Sequence, residues 1–296
     1  MSVQTTVISD KEIVKGTSLW KDAWRRLCKN RLAVIGSVIL AIIVVAALLG
    51  PWLLPYTYDQ IDLNATNEAP SWQHWFGTDQ LGRDILVRSL TGGRISLMVG
   101  LVATAVSFVI GVSYGAISGY FGRHIDEVMM RFADILSSLP FLVLVIVLLA
   151  FFSKSLLMLF VALGAVSWML MARIVRGQVL SLKNQEFVEA ARAIGVPTSK
   201  IIFRHLVPNT LGPVIVYTTL TIPNAMLSEA FLSFLGLGVQ PPLASWGTLV
   251  SEGITSISVY PWQLLFPGLM MTVTLLSLNF LGDGLRDALD PQMRKD

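Results

Sequence analysis

Residues 230–251 read AFLSFLGLGVQPPLASWGTLVS, and their reading decides how often the chain crosses a membrane. The stretch lacks Asp, Glu, Lys and Arg, and it is long enough to span a hydrocarbon core, which takes about 20 helical residues. Its content argues against crossing. Pro241 and Pro242 stand in the middle, with Gly236, Gly238 and Gly247 around them. A lipid-exposed helix here would lose backbone hydrogen bonds that no water replaces. Its first residues read as the end of a preceding span, and the remainder as an external loop.

Six other charge-free stretches remain: Leu32–Tyr58 with its apolar heart at Leu32–Leu49, Ile95–Gly122, Ile135–Ser153, Ser155–Ala172, His205–Ser228 and Gly253–Gly282. The expected fold is an all-α integral membrane protein with six transmembrane helices. Composition agrees. Of 296 residues, 54% are hydrophobic and 14% charged, with a mean hydropathy of +0.66. Soluble domains carry about 25% charged residues, so an ordinary water-soluble globule is excluded. The single cysteine, Cys28, has no partner for an internal disulfide.

Charge placement gives a topology. With the N-terminus inside, all but four of the 22 Lys and Arg residues fall in internal segments. The four exceptions are Arg83, Arg88, Arg94 and Lys154. This follows the positive-inside rule and puts both termini in the cytoplasm. The basic balance therefore reports topology and not a nucleic-acid footprint. The first apolar run reads as a retained helix, not a cleavable signal. The expected organisation is a cytoplasmic segment 1–31, then a membrane domain 32–296. The domain has an external loop at about 50–93, a cytoplasmic loop at about 173–204 and an external loop at about 235–260. Within the first segment, Leu19–Arg31 sets Lys21, Arg25, Arg26, Lys29 and Arg31 beside Trp20, Trp24 and Leu27. Two readings fit: an amphipathic helix on the inner leaflet, or a plain polar anchor.

In the second span Ala103, Ser107, Gly111, Gly115 and Gly119 recur every four residues and share one helix face. Small residues so spaced let a neighbouring backbone approach. The span from His205 contains Pro213 and Pro223, which permit bending.

Catalytic patterns are missing. There is no phosphate-binding GxxxxGK[ST] loop, no HExxH, no CxxC and no GxSxG. His74, His124 and His205 lie in different segments, so no catalytic, cofactor-binding or metal residue is expected. No ionisable residue falls in mid-span, and Glu229 lies near the outer end of the fifth. That weakens an ion-coupled secondary transporter.

The internal loop holds QEFVEAARAIGVP at residues 185–197. Asn184 can cap a helix start, Glu186 suits the positive dipole end, and Gly195 followed by Pro197 suits its exit. Phe187, Ala190, Ala191 and Ile194 make one apolar stripe. Such a helix can lie on lipid, pack under its own bundle or dock into a soluble partner. A second short helix is expected from Thr198, with Pro208 marking entry to the fifth span.

Glu189-Ala190-Ala191, then Gly195, then His205-Leu206-Val207-Pro208 resembles the EAA motif of ABC-importer permeases. His205 and Val207 depart from the usual closing tetrad. Residues 77–84 (GTDQLGRD), 93–97 (GRISL), 234–238 (FLGLG), 245–247 (SWG) and 282–291 (GDGLRDALDP) look like the C-type permease subunits of the dipeptide/oligopeptide group. The resemblance implies a type I ABC permease fold and a multi-pass location in the bacterial cytoplasmic (inner) membrane. It implies ATPase coupling through Glu186, Phe187, Glu189, Ala190, Ala191, Ile194, Gly195 and Pro208. It implies a homologous permease as heterodimer partner, two cytoplasmic ATPase subunits that carry ATP and Mg, and an extracytoplasmic peptide-binding protein, all in membrane lipid and without nucleic acid. The implied cargo is an oligopeptide or dipeptide, with nickel or another small solute as alternative. Asp79, Arg83 and Asp84 read either as a local turn with Asp–Arg pairing or, with Trp246, as candidates for an external gate or a binding-protein contact. Ser245–Glu252 is expected as a short external helix ending at Gly253, and residues 282–291 either as an internal C-terminal helix or as a plain terminal cap.

Overall fold

A computed structural model describes residues 19–152 and 155–289. Lys11, Lys15, Lys154, Asp290, Pro291, Arg294 and Lys295 lie outside them, as does the side chain of Trp20. The described residues form helices α1 (Leu19–Lys29), α2 (Arg31–Leu53), α3 (Ile85–Phe121), α4 (Arg123–Ser138), α5 (Phe141–Phe152) and α6 (Leu156–Leu182). Then follow α7 (Glu186–Ala193), α8 (Thr198–Lys200), a π-helical segment (Ile201–Leu206), α9 (Val207–Phe234), α10 (Trp246–Ile254) and α11 (Trp262–Leu289).

Among the described residues four helices, α2, α3, α6 and α11, are long and apolar enough to cross a membrane. The α4–α5 pair makes a fifth if it is one broken span. Helix α9 has 28 residues, long enough to cross, but threonines, Asn224 and Glu229 make it more polar.

The run expected as the third span is not one straight helix. It breaks between Ser138 and Phe141, where α4 and α5 meet at 89°. Pro140 disfavours helical geometry in the residue before it, and Leu139 is extended at ψ 134°. The second span begins at Ile85, ten residues earlier than the charge-free run, because the Asp84 carboxylate caps it by accepting from the Val87 amide at 2.9 Å. At 1.5 Å per residue its 37 residues reach about 55 Å, well beyond a ~30 Å core, so one end projects. Residues 282–289 are helical, as the last part of α11, which runs through them without a break. Of the two readings for the N-terminal segment, a helix forms: α1, whose Leu27 meets α11 at Gly284.

Helices α1, α7 and the C-terminal end of α11 share one end of the bundle, here the basal end. Residues 54–84 and α10 form a cap at the other. Helix α3 is the central element, and its small-residue face meets α6. A Cβ added at Gly111 would lie 2.6 Å from the Met171 Cβ, and one at Gly119 2.9 Å from the Arg176 carbonyl. At Gly115 it would press into the Ala172 carbonyl. From the other side Gly164 of α6 faces Val106 and the Ala103 carbonyl. Ala103 and Ser107 are fully buried in the same seam.

This seam makes a measurable difference between two glycines. Gly115→Val is expected to lower stability by about 2–3 kcal/mol through overpacking. Gly177→Ala in the same helix pair, where nothing stands within 4 Å of a new Cβ, is expected to be neutral or to gain up to about 1 kcal/mol from helix propensity. Thermal unfolding of the detergent-solubilised protein checks both. Equal melting shifts for the two variants would contradict the seam.

Candidate functional site

The basal site is built on a platform of three helix ends. Arg176 of α6 grips Asp126 of α4 bidentately, Nε to Oδ1 at 2.5 Å and Nη2 to Oδ2 at 2.6 Å. The Ser118 hydroxyl of α3 donates to the same carboxylate. Lys183, just past α6, donates to the Gly119 carbonyl at 2.9 Å. A cation there satisfies an orphan acceptor and suits the negative end of the α3 dipole. Arg173 adds a second clip, to Asp134 at 2.9 Å.

Helix α7 rests on this platform. Val188 and Ala191 are buried with Val112, Val175, Val179, Ile201 and Leu206. Arg192 lies over the Tyr120 ring at 5.2 Å, a cation–π contact that ties α7 to the end of α3. The exit is a Schellman turn: Val196 N–H donates to the Ala191 carbonyl and Gly195 N–H to that of Arg192, both at 3.0 Å. Gly195 takes φ +77°, the left-handed conformation that glycine adopts without strain. The start differs from expectation. Gln185, not Asn184, is the N-cap residue, and its side chain makes no capping bond.

The expected stripe is split between two faces. Ala191 turns inward with Val188, while Phe187, Ala190 and Ile194 point away from the bundle. Ile194 is 80% exposed. Glu186 and Glu189 flank this outward face, and both are exposed. The short helix thus presents an apolar strip edged by carboxylates and backed by a rigid seat.

No break separates α7's successor from the next long helix. Residues 198–234 are continuously helical through α8, the π segment and α9. Pro208 does mark the entry to the long helix, standing in the first turn of α9, which follows the π segment without a gap. The proline has no amide to offer the i−4 carbonyl and its ring would clash there. A widened turn removes the conflict, and the Val207 N–H reaches back five residues to the Ile202 carbonyl. Asn209 closes the bulge by donating to the His205 carbonyl at 2.6 Å. Beside it a cleft of about 900 Å³ opens between α1, α6, α9 and α11. Ile174, Pro213, Val216 and Leu220 line it, and Arg26 and Arg286 also contribute to its walls.

The cap brings together the four other sequence candidates, but turns them inward. Asp79 accepts from Arg83 Nε at 2.7 Å and from Arg88 Nη1 at 2.6 Å. Asp84 accepts the α3 capping bond and lies 2.8 Å from His74 Nδ1. Trp246 is 0% exposed, its indole N–H on the Ser89 carbonyl and its ring against Gly93. A partner docking on the cap would not touch it without unpacking it. Sequence reading missed Arg88, Glu252 and Gln263. Arg88 also donates to Glu252 of α10 at 2.9 Å, and Gln263 of α11 donates to Asn67 and to the Thr78 carbonyl. The short helix expected after Ser245 is α10, with Ser245 as its N-cap; it ends one residue past Gly253, at Ile254, and Gly253 lets the Gln263 carbonyl approach to 2.7 Å of where a Cβ would be. Among the described residues no three His, Cys, Asp or Glu side chains converge as a metal cage requires.

A long-helix bundle with a short seated helix between two of its long members is the architecture of an ABC-transporter membrane subunit. The fold is similar to an inward-facing chain of the MetNI methionine ABC transporter, with a TM-score of 0.55 and 19% identity over 70% of this chain and 96% of that one. Residues 111–295 match the family of binding-protein-dependent transport system inner membrane components, and the chain belongs to that family. Residues 18–70 match the N-terminal TM domain of oligopeptide transport permease C. Oligopeptide transport system permease proteins OppC are 54% identical in Escherichia coli (strain K12), over 97% of this chain and 95% of that one, and 52% identical in Haemophilus influenzae, over 95% and 91%. The dipeptide permease DppC of Bacillus subtilis is 48% identical over 94% and 87%. The chain is thus a multi-pass, non-catalytic permease subunit of the inner membrane.

The charge cluster of the cap has a graded cost. Arg88→Met leaves the buried Asp79 carboxylate short of a partner and is expected to cost about 3 kcal/mol. Glu252→Gln, on a side chain 47% exposed, is expected to cost less than about 1 kcal/mol. Chemical denaturation followed by tryptophan fluorescence checks the ranking; a larger loss for Glu252→Gln would contradict it.

Proposed function

We propose that the chain is one half of a heterodimeric pore that imports oligopeptides or dipeptides by alternating access, driven by ATP hydrolysed on partner subunits. The observation that carries this is the outward face of α7. Phe187, Ala190 and Ile194 stand exposed on a helix whose other face is locked to the bundle. A short rigid knob of this kind suits a cleft on a soluble ATPase. Glu186 and Glu189 give it the charge to pair with basic groups around such a cleft.

In this reading the basal end is cytoplasmic, with both termini there and six crossings, the broken α4–α5 pair and α9 included. The boundaries are a cytoplasmic segment 1–31, external loops at about 50–93 and 235–260, and the ATPase-facing loop at about 173–204. ATP and Mg bind the two ATPases, and a homologous permease completes the pore. An extracytoplasmic peptide-binding protein delivers cargo to the cap. The permease names of the relatives support the peptide class.

Force passes through backbone. Displacing α7 displaces α8, the π segment and α9 as one helix, because no loop intervenes after Thr198. The cleft beside α9 and the prolines Pro213 and Pro223 lie on that moving element. ATP shifts the pore between outward- and inward-open states only by as much as docking differs between them.

Ile194→Asp and Glu189→Lys change side chains that touch nothing in the bundle's interior. Both are expected to reduce ATPase co-purification at least about tenfold, a loss of ~1.4 kcal/mol in docking, with unchanged melting. Affinity purification from membranes followed by ATPase assay measures this. Wild-type recovery of ATPase with both variants would reject the docking role.

A further inference from the structure

Glu229 is a carboxylate 1% exposed in the outer part of α9, among apolar helices. An ionisable group at such a place is expensive and calls for a purpose. Its Oε1 accepts two hydroxyl bonds, from Ser233 Oγ at 2.7 Å and from Ser245 Oγ at 2.6 Å. Ser233 is one turn along the same helix. Ser245 is the N-cap residue of α10, and its oxygen accepts from the Thr248 amide at 3.1 Å. Oε2 has no hydrogen-bond partner and lies where Gly247 has no side chain, 3.1 Å from a built Cβ. The carboxylate therefore sits against the N-terminal turn of α10, the end of a helix that favours negative charge. Gly247 packs directly on the Ala230 Cα, so the two helices touch along this edge.

We infer that Glu229 is a positioning residue for transport, tying the cap helix α10 to α9 so that α10 travels with it. The inference rests on the reading of α9 as the moving element. Helix α10 is held to α9 by Glu229 and by the packing of Gly247 on Ala230. It is held to α3 by the Glu252–Arg88 ion pair and by Trp246, whose backbone N–H donates to Ser96 Oγ at 3.0 Å and whose indole N–H donates to the Ser89 carbonyl at 2.8 Å. Removing Glu229 therefore takes away a dry polar tie between α10 and α9 while the ties to α3 remain.

The test uses the assembled transporter in lipid nanodiscs, with Cys28→Ser and spin labels at Phe231→Cys on α9 and Ile254→Cys on α10. Both label sites are exposed. The readouts are the label distance with and without trapped ATP, and the tri-alanine peptide transported per ATP hydrolysed. Glu229→Leu and Ser245→Ala are expected to broaden the ATP-trapped distance. They are expected to lower the transport ratio at least about fivefold, the lower end of coupling between sites, with ATPase turnover retained. Glu229→Gln keeps an acceptor oxygen for both hydroxyls and is expected to restore wild-type values. Ser233→Ala breaks only a bond within α9 and is expected to leave the ratio unchanged. If Glu229→Leu fails to assemble, Ser245→Ala decides alone. A purely structural role would lower transport and hydrolysis together, and an unchanged ratio with a fixed label distance overturns the assignment. A wild-type complex that ignores ATP altogether would instead overturn the transport reading and this inference with it.

Discussion

Lipid tails are as apolar as leucine, so the hydrophobic effect does not press one membrane helix onto another. What holds α3 to α6 is the contact area that becomes available when side chains are removed. Gly111, Gly115 and Gly119 let the α6 backbone come to van der Waals distance, and Gly164 does the same from the other side. Dispersion contacts add up over that area. The ion pairs of the basal platform are placed by this approach: Arg176 reaches Asp126 because the ends of α3, α4 and α6 already converge. The seat of α7 continues the same seam, since Val175 and Val179 of α6 belong to the buried cluster that holds Val188 and Ala191. Without the seam there is no platform, and without the platform α7 is a loose loop.

From that seat a mechanical line runs the length of the molecule. Its first joint is the Schellman turn at Gly195, its second the π segment in front of Pro208. Both are local solutions to backbone problems, and neither interrupts the helix that becomes α9. At the cap the line meets α10, which bridges α9 and α3. The permease family to which the chain belongs works with partners that supply energy and cargo. In the proposed mechanism the chain's own contribution is geometry: one rigid knob, one long lever and one latch.

Much of this was legible in the residues. The period-four small residues announced a packing face, and Pro241-Pro242 correctly removed 230–251 from the list of crossings. Gly195 and Pro197 marked the end of α7 to the residue. Other features were not legible, for physical reasons. The turn at Pro140 was hidden because an uninterrupted apolar run looks like a crossing whether straight or bent. An eight-residue helix with apolar residues on both faces does not disclose which face is seated, and Val188 rather than Phe187 won. The cap latch pairs Arg88 with Glu252, 164 positions apart. Nothing in local spacing signals a contact of that range. Asp79, Asp84 and Trp246 were picked out by type, and their burial emerged only with the fold.

The most direct measurement is a cross-link from α7. With Cys28 replaced by Ser and Ile194 by Cys, the side chain at that position carries the single thiol of the chain. A short thiol-to-amine cross-linker applied to inside-out membrane vesicles should join it to an ATPase subunit, with a yield that changes when ATP is trapped. Labelling of the thiol by an impermeant reagent from the periplasmic side, or an adduct with lipid-embedded neighbours only, would contradict the account.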